Sequence, residues 1–194
     1  MTATKEYQQQ IAVGLKNFFP AENVDTEWTA IRGSRDIYCP RLDIAVGPFA
    51  VEEHRYEPAY DQLFDVNQLL IQRFVEIHNC NLADHPQPRS QEHHDYVLDQ
   101  PTETSHLNDQ NRNARCFLAI EIENKVTRKH LLGGFINAAA LGRIGIGIAY
   151  DADKLKAFLN ARRYLLFLHS KGKNSFSVSN LLIMTKEQVL EALV

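Results

Sequence analysis

Hydrophobic and polar positions follow different rhythms along this chain. Over residues 5–19, Ile11, Leu15, Phe18 and Phe19 recur at helical spacing and Pro20 closes the run, which predicts an amphipathic helix. Residues 26–31 are rich in β-formers and predict a strand. Gly33 to Asp36 reads as a turn, and residues 42–46 predict a short strand closed by Gly47-Pro48. Between about residues 50 and 113 the pattern changes. The first half of this segment holds one helix, residues 60–78, with Leu63, Val66, Leu69, Leu70, Phe74 and Ile77 as its apolar face. The second half, residues 79–113, is poor in apolar residues and rich in Pro, His, Gln and Asn, so it reads as loop or partly disordered chain.

The clearest stretch follows. The run CFLAIEIE, residues 116–123, predicts a strand; residues 128–141, containing LLGGFINAAAL, predict a helix; residues 143–150, RIGIGIAY, predict another strand. Strand, helix and strand make a right-handed βαβ unit with parallel strands. Gly145 and Gly147 would let a neighbour pack closely on the second strand. Residues 151–169 predict a helix capped by Asp151. A turn at Gly172 to Asn174, a strand over residues 176–184 and a last helix starting at Thr185, with Glu187 and Gln188 in its first turn, complete the chain. No internal repeat is visible. The chain reads as a single α/β domain, residues 1–194, carrying an insertion over about residues 50–113.

Composition narrows the classes. A chain of 194 residues buries a sizeable core without staples. No apolar run reaches the roughly 18 residues of a membrane span, and the polar start MTATKEYQQQ has no apolar signal region. Cys39, Cys80 and Cys116 lie far apart without a CxxC pair, which fits small buried thiols in a reduced, cytoplasmic protein. His78, Cys80, His85, His93 and His94 fall in the insertion, match no structural zinc spacing and read as loop residues. Gly145 and Gly147 lie inside a strand, which excludes a dinucleotide fingerprint, and no Ser-His pair forms a nucleophile elbow. The net charge of -3 is unevenly spread. Residues 50–110 hold 12 acidic and 3 basic side chains, about -9, which leaves the rest of the chain at about +6. A mildly basic core can accept a phosphate backbone; the acidic insertion would repel one unless it lies away from the site or mimics nucleic acid.

Candidate chemistry concentrates in two strands. Along residues 116–123, Leu118, Ile120 and Ile122 point one way, while Glu121, Glu123 and, beyond them, Lys125 point the other. Two carboxylates that close repel each other, more so when buried, so a proton or a cation belongs between them. Hard carboxylate oxygens suit Mg²⁺ or Mn²⁺. Asp43, inside the apolar strand PRLDIAV, is a third carboxylate, costly there unless it pairs, with Arg41 for example, faces solvent or ligates an ion. A solvated edge strand would account for Glu121 and Glu123 taken alone; three carboxylates and a lysine together point to one site.

Pro40-Arg41-Leu42-Asp43, followed after an insertion by Ala119-Ile120-Glu121-Ile122-Glu123-Asn124-Lys125, resembles the PD-(D/E)xK, or restriction endonuclease-like, nuclease superfamily. The resemblance covers residues 1–50 and 115–150 and leaves out the insertion. It implies an α-β-β-β-α-β core: a mixed central sheet flanked by helices, here with a helical and loop insertion. Two features depart from the pattern. Two residues separate Pro40 from Asp43, and the second half reads in two registers. Glu123-x-Lys125 gives the full motif. Glu121-x-Glu123, the preferred register for metal ligands, puts a glutamate in the lysine's place, as in some restriction endonucleases of the superfamily, with Lys125 nearby.

The resemblance implies metal-assisted phosphodiester hydrolysis. Asp43, Glu121 and Glu123 are its metal ligands, with the Ile122 carbonyl, and the ion is Mg²⁺ (or Mn²⁺). Glu123 or Lys125 would orient or deprotonate the attacking water, and Lys125 could bind the phosphate. Glu27, ahead of Glu22 and Glu6, is an accessory carboxylate. Arg128, Lys129 and His130, opening the next helix, would hold a neighbouring phosphate. The expectation is a Mg²⁺-dependent endonuclease acting on DNA rather than RNA, in a restriction, defence or repair setting. A homodimer could form through the helix at residues 60–78. The competing expectation is a non-catalytic binding or assembly module that keeps the nuclease fold. A phosphatase of small substrates would need a closed pocket, which the sequence does not display.

Overall fold

The structure, a computed structural model, describes residues 3–30, 39–50, 56–87, 100–124 and 127–194, apart from the side chains of Arg128 and Lys129. In chain order the elements are α1 (Ala3–Leu15), β1 (Val24–Thr29), β2 (Arg41–Val46), α2 (Glu57–Val66), α3 (Gln68–Asp84), α4 (Thr104–Gln110), β3 (Cys116–Glu123), α5 (Arg128–Leu141), β4 (Gly142–Ala149), α6 (Ala152–Ser170), β5 (Leu181–Thr185) and α7 (Lys186–Ala192). The strands form one mixed sheet in the order β1-β2-β3-β4-β5. The first three run as an antiparallel meander. The last three are parallel, joined by α5 and α6.

Side-chain alternation gives the sheet two apolar faces. Leu118, Ile120 and Ile122 of β3, Ile144, Ile146 and Ile148 of β4, and Leu182 and Met184 of β5 pack with residues of α1, α3 and α7, among them Ile11, Leu15, Phe74 and Val189. The opposite face, with Ala45, Ala119, Ala149 and Ile183, packs under Leu131, Phe135 and Ala138 of α5 and Leu155, Phe158 and Leu159 of α6. Gly145 and Gly147 of β4 allow this approach. A Cβ on Gly145 would stand 3.0 Å from the Ala138 backbone, and one on Gly147 would stand 2.6 Å from the Phe135 ring.

Several elements differ from their sequence expectation. The single helix over residues 60–78 is two helices, α2 and α3, broken at Asn67, whose Nδ2 donates to the Leu63 carbonyl at 2.9 Å. The break turns Val66 and Leu69 outward, at 74 % and 77 % exposure, although both belong to the expected apolar face. Residues 79–113 are not loop throughout: α3 continues to Asp84, and α4 buries Leu107. Asn79 and Thr102 exchange two hydrogen bonds, of 3.0 and 2.9 Å, that fasten the returning chain to α3. α1 ends at Leu15, and a tighter turn follows in which Phe19 N donates to the Leu15 carbonyl at 2.9 Å, so Phe19 still reaches the core. β1 begins two residues earlier than the expected strand, at Val24.

β5 starts at Leu181 because Ser177 and Ser179 bond locally ahead of it, Ser179 N donating to Ser177 Oγ at 3.1 Å. His78 is buried within α3, Cys116 is buried, Cys39 is partly exposed and Cys80 is exposed, so neither the loop placement of His78 nor the burial of Cys80 holds. Asp151 caps α6 by accepting from Lys154 N at 3.1 Å, and Thr185 and Gln188 form a capping box on α7. The expected turn from Gly33 to Asp36 lies outside the described residues, as do His93 and His94. Among the described residues no helix is long and apolar enough to cross a membrane.

Candidate functional site

The site begins where two strands part. The pairing of β2 with β3 runs from Val46–Leu118 to Ile44–Ile120. Two residues further along β3, Ile122 N–H donates to the Asp43 carboxylate (Oδ2) at 2.7 Å. The side chain thus takes a hydrogen bond that a strand carbonyl would accept in a continued ladder. β3 stays paired with β4 up to Glu123–Ala149. The edge left open beside Glu121 and Glu123 is walled by the start of α5.

The resulting cleft has a volume of about 440 Å³ and is lined by Arg41, Glu121, Glu123, His130, Gly134 and Asn137, with Leu131 and Phe135 behind. His130, Gly134 and Asn137 fall at positions i, i+4 and i+7, which puts them on one face of α5. Gly134 lies over Glu121, where a Cβ would stand 3.6 Å from the glutamate Cβ, an ordinary contact distance. The Glu121 carboxylate accepts from Asn137, yet its buried Oε1 has no hydrogen-bond partner among the described residues. Burial first, then the negative charges of Asp43 and Glu123, push the Glu121 carboxyl up to about 9; Asn137 and Arg41 act against the shift. Burial also raises the Asp43 carboxyl, the Ile122 N–H opposing it and the charges of Glu27 and Glu123 adding to it. With its carboxyl raised to about 9, Glu121 holds a proton at neutral pH unless a cation takes the proton's place.

Of the carboxylates expected from sequence, Glu121 and Glu123 line the cleft with His130 of α5, while Asp43 is not part of the lining but stands close enough for its charge to act on Glu121. Lys125 and the side chains of Arg128 and Lys129 lie outside the described residues. Glu6 and Glu22 are exposed. Glu27 stands beside Asp43, where its Oε2 binds Arg41 Nε at 2.8 Å. Arg41 therefore pairs with Glu27 and not with Asp43. Among the described residues no group of three His, Cys, Asp or Glu side chains is arranged to hold a metal ion. Sequence reasoning missed Asn137 and Gln8. The spacing His130-Gly134-Asn137 on a helix following the acidic strand could have flagged the first. Gln8 of α1 donates from Nε2 to the Asp43 carbonyl, and its Nε2 lies 3.5 Å from Glu27 Oε1. No short motif announces that contact.

Compared with known proteins, the chain matches no family model, no curated sequence and no solved structure. Fold and cleft together define an α/β protein with a mixed five-stranded sheet and an acidic cleft at the end of a central strand.

Proposed function

We propose that this chain is a divalent-metal-dependent nuclease that hydrolyses phosphodiester bonds of DNA, with the cleft between β2, β3 and α5 as its active site. The buried oxygen of Glu121 beside Asp43 and Glu123, without a hydrogen-bond partner among the described residues, carries the proposal. Such an atom calls for a proton or a cation. The donors are all hard oxygens. Mg²⁺ is commonly held by one or two carboxylates with water and substrate completing its shell, so Asp43 and Glu121 suffice without a three-residue cage. The element order α1-β1-β2, insertion, β3-α5-β4 supports the reading too, being compatible with the α-β-β-β-α-β order that the sequence resemblance implies.

When bound, the ion supplies Lewis acidity and a bound water of lowered pKa. Asp43 and Glu121 would hold it. Ile122 N–H fixes the first carboxylate and Asn137 the second. Glu123, next on the same strand face, would orient the attacking water, and His130 across the cleft would reach a phosphate oxygen. A restriction, defence or repair role and a pair of chains for the two strands of a duplex belong to the same proposal.

A non-catalytic binding module is the second reading. The observation favouring it is that one Asp43 oxygen already serves a structural purpose at Ile122 N–H. Supercoiled plasmid incubated with Mg²⁺ or Mn²⁺ separates the two. The wild type should nick or linearise it, and Asp43→Ala or Glu121→Gln should slow the reaction by about a hundredfold or more. A folded wild type that cuts neither plasmid, single-stranded DNA nor RNA would overturn the nuclease and leave the binding module.

A further inference from the structure

A cleft walled by carboxylates repels a nucleic-acid backbone unless a cation in the wall offsets them. Arg41 lines this cleft beside Glu121 and Glu123, and its side chain is 65 % exposed. It precedes Asp43 by two residues on the same strand. Its Nε is held by Glu27 Oε2 at 2.8 Å. Pairing through Nε leaves the guanidinium's two terminal nitrogens to donate elsewhere. That planar fork matches the oxygens of a phosphate.

The holder is itself unusual. Glu27 has φ 57 within β1, a left-handed conformation that a non-glycine residue adopts only when its surroundings enforce it. Gln8 supplies part of that enforcement, lying 3.5 Å from Glu27 Oε1 while donating to the Asp43 carbonyl. An exposed ion pair contributes too little to offset such strain. The conformation makes sense when the placement of Arg41 at the cleft is what it serves.

We infer that Arg41 is the phosphate-binding arm of the cleft, docking a phosphodiester of the DNA strand beside Glu121, and that Glu27 is the positioning residue that holds it there. This rests on the nuclease reading of the cleft. It makes the segment Pro40-Arg41-Leu42-Asp43 a source of both an ion ligand and a substrate contact.

The test is the affinity of the full chain for a fluorescent DNA duplex, read by anisotropy with Ca²⁺ in place of Mg²⁺. Arg41→Ala should weaken binding by about tenfold to a hundredfold, and Arg41→Lys should recover part of the loss without the bidentate geometry. Glu27→Gln should weaken binding several-fold in the wild type and hardly at all on top of Arg41→Ala, because both act through one contact. The shift in melting temperature caused by Mn²⁺ should survive in Arg41→Ala, showing a folded variant with its carboxylates in place. Equal affinity of the wild type and Arg41→Ala, or no DNA binding by the wild type, overturns the inference. Plasmid cleavage with an unaltered KM in Arg41→Ala would sink the arm and spare the nuclease. Arg41-dependent binding without cleavage would spare the arm and sink the nuclease.

Discussion

Glu121 has one buried carboxylate oxygen with no donor among the described residues, and Asp43 and Glu123 add their repulsion to its burial. The unfolded chain releases that proton near the ordinary value of 4.5, whereas the folded chain holds it up to about 9. Below 4.5 the group is protonated in both states and takes nothing from stability. As pH rises from about 4.5 to about 9, folding must retain a proton that the unfolded chain loses, so stability falls. The ceiling for one group is about 1.4 kcal/mol per pH unit in that window, reduced here because Glu121 is partly exposed. Glu121→Gln cannot ionise, so its melting temperature should fall much less than the wild type's between pH 5 and pH 9 in metal-free buffer. Parallel slopes for the two proteins would mean that Glu121 is ionised in the folded state. The convergence of Glu121 and Glu123 was legible because strand alternation is local. The Arg41–Glu27 pair was not, since it depends on the register between two strands and on a left-handed residue that no pattern of residue types announces.

At the scale of elements, α5 joins the fold to the site. One side of it rests on β4 through Gly145 and Gly147, and another presents His130, Gly134 and Asn137 to the cleft. Its two kinds of glycine contact should respond oppositely to alanine. A Cβ at Gly147 would stand 2.6 Å from the buried Phe135 ring and 3.0 Å from Ile183, so Gly147→Ala should cost about 1–3 kcal/mol by overpacking. It should also displace Phe135 at the back of the cleft. Among the described residues a Cβ at Gly133 meets nothing within 4 Å, so Gly133→Ala should add about 0.5–1 kcal/mol by raising helix propensity. Urea titrations of both variants check the pair of signs; a neutral Gly147→Ala would mean that α5 does not seat as closely as described. The βαβ unit was readable because its apolar runs are long enough to show through its five glycines. The break at Asn67 was not, because Val66 and Leu69 fit a helical period that ends where the Asn67 backbone leaves helical geometry at φ -106 and ψ 20. α4 was missed because seven residues with one buried leucine carry no period.

On the scale of the whole molecule, the segment read as an insertion proves structural. β5 is an edge strand, and an unpaired edge is a liability. Side chains of α3 and α6 close it. His78 Nδ1 accepts from Ile183 N at 3.0 Å, Asn81 Nδ2 donates to the Ile183 carbonyl at 3.0 Å, and Arg162 Nε donates to the Leu181 carbonyl at 2.9 Å. Because Nδ1 accepts, the ring proton of His78 sits on Nε2, which is buried with no hydrogen-bond partner among the described residues. Burial, and then the charge of Arg162, hold this histidine well below its ordinary value of 6.5. The unfolded chain gains a proton there as pH falls, while the folded chain resists it. Stability from this group is therefore complete above about 6.5 and is lost on acidification. His78 and Glu121 thus act in opposite directions: their slopes oppose each other between about 4.5 and 6.5, Glu121 dominates above that interval and His78 below it. His78→Gln keeps an acceptor for Ile183 N–H but cannot titrate. It should flatten the acid limb of the melting-temperature profile and leave the alkaline limb in place, whereas Glu121→Gln should do the reverse. An acid limb of unchanged steepness in His78→Gln would place the acid sensitivity elsewhere and remove the closed edge of β5 as its cause.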